Sequence, residues 1–67
     1  MNTIYAITRR ADGLIDYCHE SLQEAYDHCR EMDLSNDDYC IEELLEDNGY
    51  EEEVLARYNV YDGSKEA

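Results

Sequence analysis

The chain has 67 residues, of which 18 are Asp or Glu and five are Lys or Arg, for a net charge of −13. This length makes one domain and leaves little room for an enclosed ligand pocket, which usually needs roughly 300 Å³ or more. The charge argues against direct contact with nucleic acid or with an anionic membrane surface, because both need a basic face.

Residues 3–9 (Thr-Ile-Tyr-Ala-Ile-Thr-Arg) and 14–18 (Leu-Ile-Asp-Tyr-Cys) are rich in β-branched and aromatic residues. Ala11-Asp12-Gly13 lies between them, and Asp-Gly favours a hairpin turn because glycine accepts positive φ. Ser21-Leu22-Gln23-Glu24 then reads as a capping box, in which the serine hydroxyl takes an early backbone N–H and the glutamate reaches back. Leu22, Ala25, Tyr26, Cys29 and Met32 follow at helical spacing, which predicts a helix of about three turns ending near Met32-Asp33.

Residues 34–49 admit two readings. Cys40, Ile41, Leu44 and Leu45 fit a helical stripe, with a start in Ser35-Asn36-Asp37-Asp38 and a stop at Asn48-Gly49. They equally fit a strand from Tyr39 to Leu45 with Asn48-Gly49 as a hairpin turn. Val54, Ala56, Tyr58 and Val60 alternate, which argues for a strand, and a strand after Asn-Gly pairs most simply with what precedes it. The expected fold is therefore α+β in the order ββαββ, an antiparallel β-sheet with one helix packed on one face. The alternative places a second helix at 36–47. Residues 1–61 read as a single compact acidic domain and 62–67 as a frayed tail.

Hydrophobic residues make up 43% of the chain, including seven tyrosines, which sets it apart from disordered acidic chains. The net charge exceeds the roughly 2–8 units that suffice for solubility of a small domain, and the excess costs stability by self-repulsion. No apolar run approaches the ~18 residues of a membrane span. Three cysteines, an odd number, and no apolar leader make reduced thiols in the cytoplasm the expectation.

Glu42, Glu43, Glu46, Asp47, Glu51, Glu52 and Glu53 put seven carboxylates within twelve residues. With Asp37 and Asp38 they form the densest negative region, and they are the candidate contacts for a basic partner. Tyr50 and Tyr58 are candidate aromatic anchors beside them. The plain alternative is a solvated face. A compact chain of this length is roughly 28 Å across, and duplex DNA carries about 16 charges over that distance, so the density is comparable.

Other constellations are weaker. Asp33, Ser35 and Asp37 resemble the start of a calcium loop, but Asp38 stands at the glycine position and Leu44 at the final glutamate position. Cys18, His19, His28 and Cys29 match no common zinc spacing, and Cys29 belongs to the apolar stripe. A Cys18–His19 nucleophile pair fails because neighbours on a strand point to opposite faces. No metal, no cofactor and no enzymatic activity are expected. The tyrosines Tyr5, Tyr17, Tyr26, Tyr39, Tyr50, Tyr58 and Tyr61 suit half-buried sheet positions, and some suit an interface, including a homodimer seam as an alternative to a monomer.

A small acidic chain of short strands and one helix resembles the phage-encoded inhibitors of bacterial defence, the anti-CRISPR and anti-restriction proteins, several of which are nucleic-acid mimics. The resemblance spans the chain and rests on size, charge and element order. It implies a protein that blocks a DNA-binding surface of a defence complex, a CRISPR effector complex foremost, in the host cell cytoplasm. Two other readings stay open: a small adaptor that binds a protein partner through its sheet edge and tyrosines, and an ordinary acidic domain of a halophile.

Overall fold

The segments of alternating and β-branched residues form four strands, and the capped stripe forms one helix: β1 (Asn2–Arg9), β2 (Ile15–His19), α1 (Leu22–Glu31), β3 (Tyr39–Asp47) and β4 (Glu51–Tyr58). The computed structural model describes residues 2–47 and 51–66, except the side chains of Asn2, Glu46, Asp47, Glu51 and Glu52. The strands make one antiparallel sheet in the order β2-β1-β3-β4, with α1 packed on β1, β2 and β3. The fold is thus α+β in the order ββαββ. Since β2 and β3 both flank β1 antiparallel to it, they run parallel to each other. A parallel pair needs a crossover, and α1 supplies it.

Gly13 sits at φ +72° in the β1–β2 turn, where Asp12 Oδ1 accepts from the Leu14 N–H at 3.0 Å. Ile7 pairs with Tyr17 but Thr8 with Ile15, so Asp16 is the extra residue of a bulge. Ser21 caps the helix, its Oγ accepting from the Glu24 N–H at 3.1 Å. A cap of this kind is worth about 1 kcal/mol.

The helix ends in a reciprocal turn. Leu34 N–H donates to Cys29 O at 3.0 Å and Asp33 N–H to Arg30 O at 3.2 Å, with Asp33 at φ +54°. This is a Schellman motif whose left-handed position holds an aspartate instead of the usual glycine. Met32, expected in the apolar stripe, is instead the C-cap and is exposed. The left-handed residue turns the chain back, so Leu34 packs against the core in its place.

Ile7 of β1 lies opposite Ile41 of β3, and both are fully buried with Ala25, Cys29 and Val60. Each such aliphatic side chain contributes roughly 1.5–3 kcal/mol by burial. Residues 36–47 do not form a second helix: 39–47 is strand. The ambiguity has a physical source. β3 is a central strand, and Ile41 is buried on the helix side while Cys40 and Leu44 are buried on the other. Apolar residues at consecutive positions then imitate a helical stripe.

In β4 the pairing shifts between Glu43↔Ala56 and Leu44↔Val54, leaving Leu55 as a bulge. The alternation from Val54 to Val60 therefore does not mark one continuous face. The Asn48-Gly49 turn lies outside the described residues. The segment read as a frayed tail folds back on β4 over residues 62–66. Lys65 bridges Tyr58, Glu66 N–H donates to Arg57 O at 2.8 Å, and Asn59 N–H donates to Ser64 O at 2.8 Å. Gly63, at φ +72°, lies against the Tyr26 ring, and the Tyr26 hydroxyl donates to Tyr61 O at 2.9 Å.

Candidate partner-binding surface

Among the described residues the arginines are engaged within the fold. Arg9 pairs with Asp12 at 3.0 Å, and Arg57 Nε donates to Glu42 Oε2 at 2.8 Å. Arg10 clamps three segments: its Nε donates to Asn36 O at 2.7 Å and Tyr39 O at 3.2 Å, and its Nη2 bonds Glu66. Glu66 holds that guanidinium charged, raising its pKa above the ordinary value. Asn36 extends the clamp, its Oδ1 accepting from the Val60 N–H at 3.1 Å. Arg30 lies 5.6 Å from the centre of the Tyr26 ring.

The acidic run of the β3–β4 hairpin is not one surface. Glu42 and Glu43 are neighbours on a strand and project to opposite sides of the sheet. Glu42 is taken up by Arg57 and only 13% of its side chain is exposed. Glu43 accepts from the Tyr58 hydroxyl at 2.8 Å. Tyr58 itself packs against the core, with its ring centroid 6.4 Å from that of Tyr5. Glu53 is exposed, as are Asp37 and Asp38 in the turn before β3. In the backbone register of the ladder Glu46 pairs with Glu52 and Asp47 with Glu51. Tyr50 lies outside the described residues.

A second acidic surface emerges on the helix. Glu20, just before α1, and Glu24, Asp27 and Glu31 on it are all exposed. Their spacing of four, three and four residues lines them along one side of the helix, with neighbouring Cβ atoms about 5–6 Å apart. That spacing is visible in the sequence, yet reading the helix only for its apolar stripe passes over it. An open groove of about 440 Å³ runs beside this row, lined by His19, Glu24, Asp27, His28 and Glu31.

In the same groove His19 Nε2 and His28 Nδ1 meet at 2.7 Å. Sequence spacing could not join these residues, because β2 and α1 come together only in the tertiary fold. Cys29 points into the core, and burial pushes its thiol up to about 11. Burial raises the Cys40 thiol as well. Neither is poised as a thiolate nucleophile. As the side chains stand, no three His, Cys, Asp or Glu residues among those described gather around a metal position. No described helix is long and apolar enough to cross a membrane.

The molecule measures 32 × 24 × 22 Å. Duplex DNA carries about 19 charges over the longest of these dimensions. A net charge of −13 on that length is of the same order. No family model, curated protein or solved structure matches the chain.

Proposed function

We propose that the protein is an acidic inhibitor that imitates the charge of nucleic acid and blocks a DNA-binding surface of a bacterial defence complex. The observation that carries this reading is the excess of exposed carboxylates over cations. The described arginines are spent on internal ion pairs, backbone carbonyls and a ring face, while the row Glu20, Glu24, Asp27 and Glu31 and the residues Asp37, Asp38 and Glu53 stand exposed. A net negative field steers rapid encounter with a basic channel such as the one that holds target DNA in a CRISPR effector. The site of action is the cytoplasm of the host cell, with no cofactor and no catalytic step. Glu46, Asp47, Glu51 and Glu52, paired across the hairpin by backbone register, are further candidate contacts, with Tyr50 as a candidate anchor beside them.

The test is inhibition of DNA binding by purified effector complexes, with Glu24, Asp27 and Glu31 reversed to Lys in one variant and Glu51, Glu52 and Glu53 in another. Loss of inhibition in either variant locates the contact. Full inhibition by both contradicts the charge-mimic reading.

A second reading, a small adaptor, is favoured by β2. It is an edge strand, and Leu14, Ile15 and Tyr17 beside and along it are 55%, 39% and 42% exposed. Strand addition through backbone hydrogen bonds is insensitive to salt, whereas a charge mimic releases its target as salt rises.

A further inference from the structure

From the groove between β2 and α1 we infer a binding site for a divalent transition-metal ion such as zinc, with His19 and His28 as ligands and Glu24 as the third. The site shares Glu24 with the acidic row of the mimic reading, but its test reads metal binding alone.

Its basis is the meeting of two imidazoles from separate elements. His19 Nε2 and His28 Nδ1 are 2.7 Å apart, with ring centroids at 4.9 Å and planes at 87°. Tyr17 packs on His28 in an edge-type contact, with 4.4 Å between centroids. Both histidines are carried by regular elements, so their positions are set by the fold. In the neutral pair one ring donates an N–H to the lone pair of the other. A zinc ion with Zn–N bonds of about 2.0–2.1 Å in tetrahedral geometry needs the two nitrogens roughly 3.3 Å apart. The two nitrogens therefore separate by about 0.6 Å, each ring tilts to turn its lone pair from its neighbour toward the metal, and the donor imidazole shifts its proton to its other ring nitrogen. The proton count of the pair is unchanged.

The surroundings favour a cation. Among the described residues the groove is lined by these two histidines and by Glu24, Asp27 and Glu31. Helical side chains lean toward the helix N-terminus, so the His28 ring lies over the turn that carries Glu24, the carboxylate four residues earlier. Imidazole and carboxylate are ligands that zinc accepts. The thiols take no part: Cys29 faces the core, and Cys18 alternates with His19 along β2. The fourth position stays open to water or to a ligand from a partner.

The experiment is calorimetric titration of the full chain with zinc at neutral pH, together with the ¹⁵N shifts of the imidazole nitrogens. The expected result is one zinc per chain, with both histidines shifting. Affinity should fall at least tenfold in His19→Gln and in His28→Gln, and several-fold in Glu24→Gln. Cys18→Ser and Glu53→Gln should bind as the parent does. Circular dichroism checks that each variant is folded. If a histidine variant unfolds, the imidazole shifts of the parent decide. Equal affinity of the folded histidine variants and the parent would mean diffuse binding to carboxylates and would overturn the assignment. So would loss of binding in Cys18→Ser, or imidazole nitrogens that do not respond to zinc.

Discussion

The hydroxyl of Tyr58 on β4 donates to Glu43 on β3 at 2.8 Å, across the strand pair that carries the densest acidic run of the chain. A carboxylate that looks free in the sequence is thus used inside the sheet. Tyr58→Phe removes the donor and should destabilise the fold by about 0.5–1.5 kcal/mol, measured by denaturant unfolding. An unchanged midpoint would show that the bond contributes nothing in water. Glu43→Gln should leave inhibition of a target unchanged, because the carboxylate is not offered to a partner.

Three tyrosines should ionise late. The bond to Glu43 raises the Tyr58 pKa first, with burial adding to it. Burial raises Tyr5 first, with the charge of Glu43 adding to it, and burial and the charge of Asp16 raise Tyr39. A group whose folded pKa lies above its unfolded value stabilises the fold below the unfolded value, here 10.0. That contribution is lost as pH rises through the folded values. Absorbance titration should therefore show a late-ionising subset of the seven tyrosines, and stability should decline above pH 10. A single ordinary transition in all of them contradicts the assignment.

The ladder sets Glu46 opposite Glu52 and Asp47 opposite Glu51. Cross-strand pairs contribute roughly 0.2–1 kcal/mol, and like charges directly opposite destabilise. Glu52→Lys should raise the thermal midpoint, by about 4–8 °C for each kcal/mol gained in a domain of this size. The gain should shrink in high salt, which screens the repulsion in the parent. A lower midpoint in the variant would contradict the register.

Asp33 occupies a left-handed position at φ +54° directly after the helix. Glycine adopts that conformation at no steric cost, and a carboxylate there opposes the negative end of the helix dipole. Asp33→Gly should stabilise by about 1 kcal/mol, read as a higher unfolding midpoint. Destabilisation would mean that the aspartate side chain has a partner in solution.

The features legible in the sequence are those encoded locally. The Asp12-Gly13 turn, the Ser21 cap and the stripe of Leu22, Ala25, Tyr26 and Cys29 depend on residues within a few positions of each other. What local pattern could not decide is decided by distant partners. β3 reads as strand or helix because a central strand buries Cys40 and Ile41 on opposite faces. The C-terminal residues read as a tail because the contacts of Gly63 with Tyr26 and of Glu66 with Arg10 join positions far apart in the chain. The candidate surface divides in the same way. Counting carboxylates finds the β3–β4 run, but the claim of Arg57 on Glu42 is a cross-strand fact. The helix row from Glu20 to Glu31 needs the helix to be seen from its polar side.

The central claim is that the exposed carboxylates stand in for phosphate. It is tested most directly by measuring, across a series of salt concentrations, how the protein competes with a DNA duplex for a purified CRISPR effector complex. The account predicts competition at low salt that weakens steadily as salt rises, with loss of competition when Glu24, Asp27 and Glu31 are reversed to Lys together. Binding that is indifferent to salt and to that reversal, or no competition with DNA at any salt concentration, would contradict it.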